Sequence, residues 1–191
     1  MTEPMRDPGE GILEQADGRW RLRFVRALPY SRERVWRALT EERHLAAWFP
    51  TTIEGELRAG AALTFRFRGV EAPPTIGELI ACEPPRLLEF TWGGSEDGST
   101  PLEHVRFELT PDGAGCVLIF TTTYDAVGKS ARDAAGWHVC FENLARRLAG
   151  EEPVANPAER WKPLNRLYAE RFGPEASTIG PPQGHEEYQE S

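Results

Sequence analysis

The sequence predicts an α+β domain in which an antiparallel sheet with one aromatic face packs against a single long amphipathic helix near the C-terminus. Three observations predict it. Between Thr51 and Asp125 apolar residues recur at every second position, the period of a strand. After Asp125 the period changes, and Ala134, Trp137, Phe141, Leu144 and Leu148 follow a 3, 4, 3, 4 spacing that paints one helical stripe. The chain has 191 residues, 40% hydrophobic and 27% charged, which suits one sizeable core with appendages.

Each element has its own signal. Residues 11–28 read as a hairpin, with Trp20, Leu22 and Phe24 alternating against Arg19, Arg21 and Arg23 beyond an Asp17-Gly18 turn. The arginine face is read as solvated cover for the strand rather than a docking surface. Ser31 is the N-cap of a short helix carrying Val35, Trp36 and Leu39, and a second short helix runs through Leu45 and Trp48 until Pro50 stops it. In the strand region Leu63, Phe65 and Phe67 share a face, as do Leu88, Phe90 and Trp92, then Val105, Phe107 and Leu109, then Leu118, Phe120, Thr122 and Tyr124. Pro84-Pro85, Gly93 to Pro101 and Pro111-Asp112-Gly113 mark the turns, the second being a long glycine-rich loop without the pattern of a phosphate loop or a nucleophile elbow.

The long helix ends at Gly150. A further helix starts at Asn156-Pro157, where cap, N1 proline and Glu159 agree, and Pro163 is expected to kink or split it, leaving Leu164, Leu167, Tyr168 and Phe172 to dock. The organisation expected is a flexible N-terminus at 1–10, a folded domain at 11–150, a helical extension at 151–172 and a disordered acidic tail at 173–191.

Composition excludes several classes. The formal charge of −8 has the wrong sign for nucleic acid, and no hydrophobic run exceeds about six residues against the about 20 needed to span a bilayer, so neither nucleic acid nor a membrane is an expected partner. The N-terminus lacks the apolar core of a secretory signal, and a cytoplasmic location is expected. Cys82, Cys116 and Cys140 have neither a Cys-x-x-Cys pair nor a histidine at zinc-ligand spacing, so they read as reduced and mostly buried, with no metal and no cofactor.

The order strand, two short helices, antiparallel strands and long helix is accompanied by specific stretches. These are Arg26-Ala27-Leu28, Val35-Trp36-Arg37-Ala38-Leu39-Thr40, Leu45-Ala46-Ala47-Trp48-Phe49-Pro50, Gly77-Glu78-Leu79, Pro84-Pro85-Arg86-Leu87, Phe90-Thr91-Trp92 and Gly136-Trp137-His138. Over residues 10 to 172 the chain resembles the SRPBCC superfamily of START/Bet v 1 type, in its activator-of-Hsp90-ATPase homologue-like branch. The resemblance implies a helix-grip fold, in which a curved sheet grips the long helix and leaves a cavity between them. Ligand-binding residues expected there are Trp48, Phe65, Phe67, Trp92, Phe107, Phe120, Thr122, Tyr124, Trp137 and Phe141. Most of these are packing residues, so few line open space.

Catalytic candidates are weak, and none is assigned. His138 and Glu142 stand four apart on the long helix but about 100° off the apolar stripe, which reads as an exposed or rim ion pair. Strand parity turns His104 outward with Arg106 and Glu108, while His44 near the cavity mouth and His185 in the tail have no partner visible in the sequence. The function expected is non-catalytic binding of a small hydrophobic molecule. Alternatives are an aromatase/cyclase- or hydrolase-type enzyme using Tyr124, Thr122 or His138 in the same cavity, an Hsp90-linked protein, and an interaction module forming a homodimer.

Overall fold

The computed structural model describes residues 9–181. Asp17 and Gly18 have φ of 54° and 78°, the paired positive values of a type I′ turn, and they join β1 (Ile12–Ala16) to β2 (Arg19–Leu28). Ser31 caps α1 (Arg32–Thr40) by accepting from the Arg34 N–H. The second helix, α2 (Glu42–Leu45), is one turn long; tight turns carry the chain on through Trp48, whose indole N–H donates to the Ala38 carbonyl at 2.8 Å.

Six further strands follow: β3 (Thr51–Glu54), β4 (Ala62–Phe67), β5 (Thr75–Glu83), β6 (Leu87–Trp92), β7 (Glu103–Asp112) and β8 (Gly115–Tyr124). The eight form one antiparallel sheet in the order β1-β2-β8-β7-β6-β5-β4-β3, so the hairpin at the start of the chain pairs with the last strand. A bulge between Leu79 and Ala81 interrupts the β5–β6 ladder, the device by which one strand bends.

Alternation decides what faces the core. On β8, Leu118, Phe120, Thr122 and Tyr124 are buried while their neighbours are partly exposed. The long helix α3 (Ser130–Ala149) lies against this face with Ala134, Trp137, Phe141, Leu144 and Leu148 buried, and Gly150 closes it with φ of 78°. His104 points outward as parity requires and bonds Glu89 at 2.8 Å. Arg19 and Arg21 are also engaged, with Asp125 at 2.7 Å and Glu14 at 2.9 Å.

Three details differ from expectation. Pro163 does not split the last helix: α4 (Pro157–Phe172) is continuous, capped by Asn156, because the missing proline N–H costs one bond while Trp161, Leu164 and Tyr168 hold the helix on α3. Leu167 packs against the core as expected although half-buried, and Trp161 is buried as well. The first part of the segment expected to be a disordered tail is ordered. Pro174–Ser177 forms a short turn, Ala176 is buried, and the Ile179 N–H donates to the Gly128 carbonyl at 2.9 Å. A glycine at 128 makes room for this, since a Cβ there would lie 2.1 Å from Thr178 Oγ1. Residues 1–8 and 182–191, His185 among them, lie outside the described residues. Of the three free cysteines only Cys116 is buried, and Cys82 and Cys140 are half-buried.

Candidate functional site

The inward faces of β4, β6, β7 and β8 meet the Trp137/Phe141 stripe of α3 and the Trp48-Phe49 turn, forming a continuous aromatic interior. Phe120 is its centre, with ring centroids 4.3 Å from Trp137, 5.0 Å from Phe107 and 5.1 Å from Phe141. Trp48 stacks near Phe141 at 6.5 Å, and Phe65 lies 5.6 Å from Phe90 and 5.8 Å from Trp92. Phe67 borders Trp92 at 6.4 Å, and both are half-buried at the open end of the sheet. The structure therefore brings the expected aromatic residues other than Tyr124 into one body, ring against ring.

Polar atoms gather at the Trp92 end of this interior. Thr122 is fully buried between Leu22 and Val105 on the flanking strands, and its hydroxyl has no hydrogen-bond partner among the described residues. The Tyr124 hydroxyl lies beside that of Ser130 without closing a hydrogen bond, and burial, reinforced by the Asp133 charge, pushes its pKa far above the usual phenol value. Such buried hydroxyls each cost about 1–3 kcal/mol until something pairs with them.

Next to them stands a charged cluster that periodicity does not reveal. Lys129 bridges Glu103 and, at 3.2 Å, Asp133, and its ammonium sits 4.5 Å from the Tyr124 ring centroid. The Trp92 indole donates to Glu103 at 3.3 Å. Burial, reinforced by Asp133, pushes the Glu103 carboxyl up. Glu103 follows a long loop and Lys129 lies in a turn, so neither belongs to a repeating pattern; their charge signs were the only available signal.

His138 is not on an exposed rim. It is 8% exposed because α4 covers that face of α3, and its Nδ1 lies 2.8 Å from the Tyr168 hydroxyl, which accepts from the Gly11 N–H at 2.9 Å. Its Nε2 is 3.5 Å from Glu142, which is also gripped by Arg160 at 2.9 Å. The pair thus fastens α3, α4 and the start of the chain together. The expected effect of Tyr168→Phe is a loss of about 2 kcal/mol in urea unfolding, because two buried groups lose a partner while the ring remains.

Burial alone would raise the Glu142 carboxyl, but hydrogen bonds from His138 and Arg160, with the Arg160 charge, bring it down from 4.5 to about 2. A depressed carboxylate contributes stability above its unfolded value and loses it as pH falls through the folded one. The melting-temperature gap between wild type and Glu142→Gln should therefore be full above pH 4.5 and close as pH approaches about 2.

Open space lies elsewhere between sheet and helix. A cleft of about 230 Å³ is bounded by β2, β8 and the C-terminal half of α3, and lined by Gly9, Arg26, Ala27, Leu28, Leu118, His138, Phe141, Glu142, Leu144 and Ala145. Of the ten expected ligand-binding residues only Phe141 reaches it; the other nine are not part of its lining. Among the described residues no three His, Cys, Asp or Glu side chains converge as a metal site would require, and no helix is long and apolar enough to cross a membrane.

Solved structures share this architecture. CalU16 from Micromonospora echinospora is 21% identical, with 84% of this chain and 96% of that one covered at a TM-score of 0.67. The protein encoded by gene BPP1335 of Bordetella parapertussis is 30% identical, with 90% and 95% covered at a TM-score of 0.63. DynU16, a protein of the dynemicin biosynthetic locus, is 25% identical at a TM-score of 0.59, the match covering 70% of this chain and 48% of that one. No curated protein matches. Residues 29–149 match the family described as Activator of Hsp90 ATPase homolog 1-like protein, a stretch that begins just before α1 and ends with α3. By that match, and by the eight-stranded sheet closed on a long helix, the chain belongs to the Activator of Hsp90 ATPase homolog 1-like family of the SRPBCC superfamily.

Proposed function

We propose that the protein binds a small, largely apolar molecule between the sheet and α3 without transforming it, and that the ligand occupies the cleft beside Phe141. The observation that carries this reading is the cleft itself, whose floor is apolar at Leu28, Leu118, Phe141 and Leu144. The aromatic interior forms a rigid wall behind Phe141, and an aromatic surface takes apolar ligands by area and shape rather than by specific hydrogen bonds. Membership of the family supports the reading, as does the position of DynU16 in the dynemicin biosynthetic locus.

Of the candidate catalytic groups, the acid–base pair is committed to the fold. His138 and Glu142 are engaged with Tyr168 and Arg160, and Tyr124 is driven away from the acidity a general base needs near neutral pH. The test is native mass spectrometry of protein purified without additive, followed by titration with a library of small apolar molecules. Carried or added molecules bound one to one are the expected result. Protein that emerges empty and binds none of the library removes the reading.

A further inference from the structure

We infer that the corner where α1 and α2 meet the C-terminal turn of α3 is a docking surface for a short acidic segment of a partner protein. Four arginines come together there from three helices: Arg34 and Arg37 from α1, Arg43 from α2 and Arg147 from α3. Arg34 and Arg37 stand three apart and share the exposed face of α1, while Val35, Trp36, Ala38 and Leu39 are buried. Arg43 is exposed on α2. The surface lies apart from the cleft, so the inference stands independently of the ligand proposed there.

The contacts of these arginines leave most of their charge unmatched. Arg34 donates to the Leu148 carbonyl and lies 4.4 Å from the Tyr30 ring centroid. Arg147 donates to His44 Nδ1 at 3.2 Å and to the Arg43 carbonyl at 3.4 Å. These partners are all neutral, since a ring nitrogen that accepts from a guanidinium carries no proton. Burial, then the Arg147 and Arg43 charges, lowers the His44 pKa; Glu41 does not outweigh them, and Arg37 adds to the same effect. Arg37 has no ion-pair partner among the described residues, and only Arg43 meets a carboxylate, that of Glu41 at 2.5 Å. The other acids nearby act elsewhere, Glu42 on Arg68 at 2.7 Å and Glu33 on the Cys116 thiol. Four guanidinium groups thus face one carboxylate in a chain whose formal charge is −8. The C-terminal dipole of α3 supplies about half a negative charge, which leaves the corner positive.

The same numbers select the partner. A nucleic-acid duplex or an anionic membrane meets the whole acidic chain and is repelled by it, whereas a short segment interacts only within a Debye length of about 10 Å. Separate arginine forks on separate helices match spaced carboxylates, each fork fitting two oxygens, better than one compact anion held in a backbone nest.

The experiment titrates an acetylated hexaglutamate amide into the full-length protein near neutral pH and follows the arginine Nε–H resonances with the backbone amides of α1 and α2. Saturable one-to-one shifts centred on Arg37, Arg43, His44 and Arg147 are expected, weakening at least about 10-fold between about 20 and about 200 mM salt. The matching hexaglutamine peptide should move none of them. The Arg37→Gln/Arg43→Gln double variant changes two exposed positions and should keep the wild-type melting temperature while losing about 10-fold in affinity for hexaglutamate. Arg37→Lys/Arg43→Lys should recover part of that loss, and Arg37→Glu/Arg43→Glu should reverse the preference toward a hexalysine peptide. Shifts that map to the arginines of β2, or hexaglutamate binding that survives the double glutamine variant intact, mean that the surface is elsewhere and the inference is wrong. A short DNA duplex that binds these residues more tightly than hexaglutamate overturns the class of partner. No shift at any peptide concentration overturns the inference outright.

Discussion

Phe120→Ala is expected to lower the free energy of unfolding by about 3–5 kcal/mol. Phe120 is the ring through which sheet and helix are joined. It touches Phe24 and Phe107 on the neighbouring strands at 6.2 and 5.0 Å, and Trp137 and Phe141 on α3 at 4.3 and 5.1 Å. Those neighbours are themselves wedged by further rings, with Trp137 against Phe49 and Trp92, and Phe141 against Trp48, so they have little freedom to collapse into the space left behind. Urea unfolding of the variant measures the loss. A loss below about 1 kcal/mol would mean that the rings rearrange freely, and the interior would then be an adaptable cavity instead of a rigid wall.

The second large effect is expected at Gly77 on β5. A Cβ there would lie 1.8 Å from the Thr91 carbonyl oxygen and 2.6 Å from the Thr91 carbonyl carbon on β6, both backbone atoms. No rotamer change relieves a clash with backbone. The position sits between the Ile76–Gly94 bridge and the bulge at Leu79/Ala81, where β5 runs unusually close to β6. Gly77→Ala should cost about 3–5 kcal/mol or prevent folding. Gly136 is the matched control, since nothing lies within 4 Å of its added Cβ and it sits inside α3. There the same substitution should stabilise by about 0.5–1 kcal/mol by raising helix propensity. Thermal or urea unfolding of the two variants side by side checks the opposite signs, and a Gly77→Ala protein of wild-type stability would contradict the described β5–β6 approach.

Much of the architecture is legible in local pattern because local pattern is what produced it. Asp17-Gly18 names its turn by the conformations it permits, and the 134, 137, 141, 144, 148 stripe names the buried face of α3. The aromatic face of the strands is likewise fixed by period two. His138 was not legible in the same way. Its angle on α3 is right, but whether that angle meets water depends on α4, an element 15 or more residues away whose Trp161/Leu164/Tyr168 stripe had to be assigned a landing place. The Lys129–Glu103–Asp133 cluster is hidden for a related reason, since its members come from a turn, a strand start and a helix and meet only after the sheet closes.

The open cleft was half legible. Arg26 can be read as inward-facing from Leu22 and Phe24 alone, four and two residues before it on the strand. What no periodicity supplies is whether ten inward residues leave space or fill it. That is decided by side-chain volumes and the exact approach of α3, and here the rings fill the centre while space remains at the Leu118/Leu144 side.

The central claim, that a small apolar molecule is held between sheet and α3, is tested most directly by isotope-filtered nuclear Overhauser contacts from a bound probe, 1-octanol, to assigned methyl and ring protons. Contacts from the probe to Leu118, Leu144 and Phe141, lost in Ala145→Trp, are the predicted result. Contacts only to residues outside the sheet–helix interface, or none at any probe concentration, would contradict the claim.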